Sequence, residues 1–215
     1  MMTFAADQLL VLVLLINILI LGTRRTTIAI RAIAVQGVIL GALPLMTHTL
    51  QGHILGTAAF VVLAKGVVIP QLLLGALKKI ETGETIQPVF GYSGNIMAGA
   101  VTTVLAFAFA AKLPLAPEHQ GLLTVPAALA TILAGFIALG SRRKALNQVV
   151  GYLMLENGIF IFGLLLTEAM PLMVEAGALL DLIAGIFVMG IIIRQISREF
   201  SSIDTSRMTA LREEE

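Results

Sequence analysis

Four helix-length apolar runs in this chain each hold a polar side chain at or beside their centre, and no other feature restricts the fold so strongly. The run from Thr26 to Met46 centres on Gln36, Gly52 to Lys78 on Lys65 and Leu146 to Leu166 on Glu156. Met170 to Arg194 has Asp181 next to its centre. Runs of roughly 20 apolar residues match the thickness of a bilayer's hydrocarbon core when helical. A charge at the middle of such a helix costs about 2.5–3.5 kcal/mol on insertion scales, so each one calls for a use. A row of ionisable groups at the membrane midplane is what a proton or ion path requires. Lys65, Glu156 and Asp181, with the neutral Gln36, are the candidate residues for that path.

Composition supports a membrane setting. The chain is 58% hydrophobic and only 13% charged, the balance of a polytopic membrane protein. With no cysteine it can form no disulfide, ligate no iron–sulfur cluster through thiolates and offer no thiol nucleophile. Three histidines, His48, His53 and His119, fall in two inter-helix regions, which argues against a haem or zinc site made by this chain alone. The basic residues cluster at helix ends, so the net charge of +1 points to no nucleic-acid partner. The start MMTFAADQLL lacks a positive n-region and carries Asp7, so the first apolar run is expected to be a retained helix.

The spacing predicts an all-α protein with seven transmembrane helices near 5–22, 26–47, 53–77, 94–112, 121–140, 145–167 and 170–199. Arg24, Arg25, Lys78, Lys79, Arg142, Arg143, Lys144, Arg194 and Arg198 fall in alternate connections or the C-terminal tail. The positive-inside rule therefore places the N-terminus outside and the C-terminus in the cytoplasm. Arg31, about a turn inside the second helix, can snorkel to the cytoplasmic surface. Residues 1–200 form one membrane domain on this reading, followed by a polar cytoplasmic tail over 201–215.

An internal repeat is also expected. Leu21-Gly22-Thr23-Arg24-Arg25 recurs as Leu139-Gly140-Ser141-Arg142-Arg143, and Lys65 and Asp181 each stand thirteen residues before a basic helix end, Lys78 and Arg194. Gln36 and Glu156 correspond once a two-residue gap is allowed. The halves, 1–78 and 119–200, would be parallel, with 79–118 supplying a cytoplasmic loop and a connector helix.

Each polar residue has a duller use to set beside the relay. Asp181 has Gly177, Ala178, Ala184 and Gly185 on its helical face, small residues that admit another helix closely. It and Glu156 could be simple interhelical contacts, and Lys65 a fixed salt-bridge partner. Pro70 lies five residues after Lys65 and removes a backbone donor, which predicts a bend beside the charge and a water-lined cavity. His48, His53 and Glu175 could relay protons at the outer mouth, or be ordinary loop and helix-start residues.

The stretch from Leu146 to Phe160, LNQVVGYLMLENGIF, together with the length and seven-helix pattern, resembles component E of the hydrogenase-4 type membrane complexes. The last three helices resemble the K-type subunit of respiratory complex I and the C subunit of Mrp cation/proton antiporters. The K-type resemblance implies two midmembrane glutamates working in proton transfer, the second at the place of Asp181. At the place of the first this chain has Leu153, and the acid comes one turn later at Glu156. The resemblance further implies a non-catalytic subunit in a bacterial or archaeal cytoplasmic membrane. Its partners would be antiporter-like membrane subunits and a hydrophilic hydrogenase arm carrying nickel–iron and iron–sulfur centres, with no cofactor in this chain. An antiporter subunit, a stand-alone secondary transporter and a purely structural assembly subunit remain alternatives.

Overall fold

The computed structural model describes residues 2–47, 52–79, 86, 88–114, 123–166 and 190. Helix α1 spans Met2–Gly22, α2 Thr26–Thr47 and α3 Gly52–Val61; a π-helical stretch, Val62–Val68, leads without a break into α4, Ile69–Lys79. Then come α5 (Gly91–Ala110), α6 (Thr124–Ser141) and α7 (Ala145–Gly163), which ends in a 3-10 turn at Leu164–Leu166. Among the described residues there is no β-strand; a lone antiparallel bridge joins Pro88 to Arg142.

Among the described residues, five stretches are long and apolar enough to cross a membrane: Ala5–Gly22, Thr26–Met46, Ala58–Lys78, Gly91–Ala110 and Thr124–Ser141. The third joins α3, the π stretch and α4 into one continuous crossing. Helix α7 is 19 residues long, but Asn147, Gln148, Glu156 and Asn157 dilute its apolar character. The helix expected over 170–199, with Glu175 and Asp181, lies outside the described residues except for Gly190, as do the tail 201–215, His48 and His119. His53 falls in α3, its side chain undescribed.

Between apolar helices in lipid there is little hydrophobic gain, so close packing and interhelical hydrogen bonds hold a bundle together. The α6–α7 pair shows the first of these. Its α6 face includes the small residues Ala128, Gly135 and Ala138, all buried. Opposite them stand Gly151 and Gly158 of α7, where an added Cβ would collide with the backbones of Leu139 and Ile132. Helix α1 packs on α2, α5 and α6, while α2 also meets α7 and the π stretch. The buried stripe of α2, Ile30, Ile33, Gln36, Leu40 and Leu43, follows helical spacing and carries Gln36 into the centre.

Candidate functional site

Lys65 and Glu156 form an ion pair inside the bundle, Nζ to Oε1 at 3.2 Å, with both side chains only 6% exposed. Removing two charges from solvent is costly, and only close pairing offsets that cost. One turn beyond Glu156 on the same helix face, Phe160 places its ring 5.2 Å from the Lys65 nitrogen. The ammonium thus meets a carboxylate on one side and the negative face of an aromatic ring on another.

Local structure explains how Lys65 comes to lie there. It sits mid-way along the π stretch, whose wider turn is seen in the bond from the Ile69 N–H to the Ala64 carbonyl, five residues back. Pro70 has no N–H to give, and the helix accommodates the loss by widening upstream rather than by breaking. Sequence reasoning expected a bend beside the charge; the disturbance takes the form of a π turn centred on the lysine. Helix α2 admits this wider backbone at Gly37, where a Cβ would stand 2.6 Å from the Lys65 carbonyl carbon.

A neutral row starts from the residue beside Glu156. Asn157 Nδ2 donates to Gln36 Oε1 at 3.2 Å, and Gln36 Nε2 donates to Asn17 Oδ1 at 2.7 Å and to the Val13 carbonyl at 3.4 Å. Asn17 Nδ2 donates to Thr131 Oγ1 at 2.8 Å, and Thr131 gives its hydroxyl proton to the Ala127 carbonyl at 2.7 Å. This row crosses four helices and is buried throughout.

A second polar layer closes the end of the bundle that carries the arginine-containing turns after α1 and α6. Thr26 Oγ1 donates to Asn147 Oδ1 at 2.9 Å. Arg142 Nη2 donates to the Ile20 carbonyl at 2.7 Å, capping the last turn of α1, and Nη1 reaches the Asn147 carbonyl at 3.3 Å. Burial pushes the Arg142 guanidinium down to about 10, which leaves it charged at neutral pH. The segment before α5 joins both arginine-containing turns: Ile86 N–H donates to the Arg24 carbonyl and Val89 N–H to the Ser141 carbonyl, each at 2.8 Å. Asn95 Nδ2 donates to Ser141 Oγ at 2.9 Å, and Arg24 lies over the Tyr92 ring at 4.8 Å. At the opposite end Asp7 accepts from the Leu123 N–H at 3.2 Å, a carboxylate beside the positive N-terminus of α6.

Of the residues singled out from sequence, the structure brings Lys65, Glu156 and Gln36 into one layer. Asp181, His48 and Glu175 lie outside the described residues, as does the side chain of His53. Sequence reasoning did not single out Asn17, Thr131 or, except as a neighbour of Glu156, Asn157. An amide in the apolar run of α1 is itself a signal, since an unpartnered polar group in hydrocarbon is costly. Nothing in the sequence names its partner.

These features define a multi-pass helical membrane protein with an ion pair and a hydrogen-bonded row in its interior. The chain belongs to the hydrogenase-4 component E family. It is 30% identical over 153 residues to hydrogenase-4 component E of Escherichia coli K12, covering 70% of this chain and 69% of that protein, and matches the Shigella flexneri component to the same extent. An uncharacterized protein of Mycobacterium tuberculosis is 29% identical over 213 residues, covering 98% of this chain and 95% of its own. No family model matches the chain, and no solved structure matches it.

Proposed function

We propose that this chain is a membrane subunit of an energy-converting, complex I-like hydrogenase or formate hydrogenlyase type assembly in a bacterial or archaeal cytoplasmic membrane. Its part there is to supply ionisable groups for redox-coupled proton or cation movement. The observation that carries the reading is the buried Lys65–Glu156 pair at 3.2 Å. Ammonium–carboxylate and amine–carboxylic acid forms of such a pair differ by one proton moved across a single hydrogen-bond length. A proton arriving on Glu156 leaves Lys65 without its counter-charge, and a proton leaving Lys65 restores neutrality. Membership of the component E family supports the hydrogenase assignment, and with it partner chains that hold the nickel–iron and iron–sulfur centres.

The parallel repeat belongs to the same reading. Supporting it, corresponding helices of the two halves, α1 with α6 and α2 with α7, pack on each other. Gln36 bonds the residue next to its expected counterpart, Glu156. On the repeat, Asp181 is a second midmembrane acid in the place that Lys65 holds in the first half.

A purely structural role is the second reading, favoured by the complete hydrogen-bonding of the neutral row. The two separate in one experiment. Glu156→Gln keeps size and hydrogen-bonding capacity but cannot titrate. In complexes purified through this chain and reconstituted in vesicles, a relay predicts intact assembly with sharply reduced coupled proton movement. Pumping at the parental rate leaves Glu156 as interhelical glue. The chains that co-purify decide between a hydrogenase and an antiporter assembly.

A further inference from the structure

The neutral row has a direction, and the backbone fixes it. Amides can in principle be hydrogen-bonded either way round, so a row of them has two opposite polarities. Here two carbonyls break the tie. The Ala127 carbonyl takes the only hydroxyl proton of Thr131, which leaves Thr131 Oγ1 as an acceptor and requires Asn17 to present its NH2 group. The Val13 carbonyl faces Gln36 Nε2, where a reversed Gln36 would set oxygen against oxygen. Reversal gives up both backbone bonds. Each of the three amides therefore donates to the next partner in the same sense, from Asn157 to Gln36, Gln36 to Asn17 and Asn17 to Thr131. The first of them, Asn157, adjoins Glu156.

We propose that Thr131, Asn17, Gln36 and Asn157 act as a head-to-tail row of dipoles that sets the protonation balance of the Lys65–Glu156 pair, with the Ala127 and Val13 carbonyls holding its polarity through Thr131 and Gln36. These four are positioning residues, acting through the field they impose on the pair and through the register of α7. Among the described residues, the elements packed on the pair bring it no other charged side chain, and on α7 itself Tyr152 lies one turn from Glu156. The pair is 6% exposed on both sides, and Lys65 is the only titratable residue of the π stretch. Helix α6 brings no titratable side chain to α7, and α2 brings only Arg31, which is exposed and five residues from Gln36. A low-dielectric interior leaves such dipoles poorly screened.

The inference rests on the relay reading for its physiological meaning, and its test does not depend on pumping. In the complex purified through this chain, the carboxyl stretch of Glu156 is followed by infrared titration and assigned by its loss in Glu156→Gln. Thr131→Val keeps the shape and removes the hydroxyl, whereas Thr131→Ser restores a hydroxyl. The expected result is that Thr131→Val moves the midpoint of that band by about one pH unit, and that Thr131→Ser leaves it within a few tenths. Gln36→Leu, which cuts the row at its centre, should move it as well. Thermal unfolding of each variant shows that the reading is made on folded protein. Identical midpoints in Thr131→Val, Gln36→Leu and the parent overturn the proposal, as does the absence of any titrating band lost in Glu156→Gln. Should Glu156→Gln pump at the parental rate while Thr131→Val still moves the band, the relay fails and the dipole row stands.

Discussion

The two polar structures of the bundle interior, the Lys65–Glu156 pair and the row from Asn157 to Thr131, are neighbours built on different chemistry. The pair is made of groups that gain and lose protons, and it lies where a helix departs from α geometry. The row is made of groups that do not ionise, on helices of regular geometry. A buried charge pair is weak evidence for stability, because desolvation opposes its attraction. A satisfied neutral row meets a much smaller desolvation cost than buried charges do. The contrast separates what holds this bundle together from what it is able to do.

The largest effect expected from breaking this contrast is at Lys65. Lys65→Met removes the cation and leaves Glu156 buried without it, costing about 3–5 kcal/mol. The yield of assembled complex and its thermal midpoint should both fall steeply. Lys65→Met combined with Glu156→Met should recover much of the loss, because no buried charge remains. A double variant as unstable as the single one would show that the site needs polarity for its packing.

Next comes the row. Gln36→Leu strands the Asn17 carbonyl and the Asn157 amide, at about 1 kcal/mol for each of these neutral groups. Denaturation of the purified chain in mild detergent measures it. A loss as large as that of Lys65→Met would erase the distinction between the two regions. Phe160→Leu, which keeps an apolar side chain and removes the ring beside Lys65, should cost about 0.5–2 kcal/mol. The smallest effect belongs to Thr131→Ser, which keeps the hydroxyl and loses one methyl, about 1 kcal/mol or less by the usual cost of a buried methyl.

Much of this architecture was legible in the residues. Helix ends were marked by Thr23–Arg25 and Arg142–Lys144, and the observed α1, α2, α6 and α7 begin or end within a few residues of the expected positions. Lys65 and Glu156 were conspicuous because charge in an apolar run has few explanations. Their pairing was not readable, because it joins residues 91 positions apart through the packing of α7 on the bundle. Asn17 and Thr131 were harder still. Short neutral side chains occur throughout membrane helices at low cost, and only three-dimensional packing shows that these two touch across 114 residues. The π turn escaped for another reason: Pro70 announces that the Gly66 carbonyl loses its helical donor, but not that the helix will widen upstream instead of bending.

The order in which these partners are made has a consequence for biogenesis. Asn17, Gln36, Lys65 and Asn95 leave the ribosome early, whereas Thr131, Ser141, Glu156 and Asn157, which satisfy them, come from the later part of the chain. Until α6 and α7 enter the bilayer, the early helices carry polar groups awaiting partners not yet synthesised. A chain stalled before Thr124 would hold Lys65 without its carboxylate, and Asn17 and Gln36 with only each other and the Val13 carbonyl as partners. Completion of the α6–α7 hairpin supplies these later partners, so the first half of this molecule is held in waiting by the second.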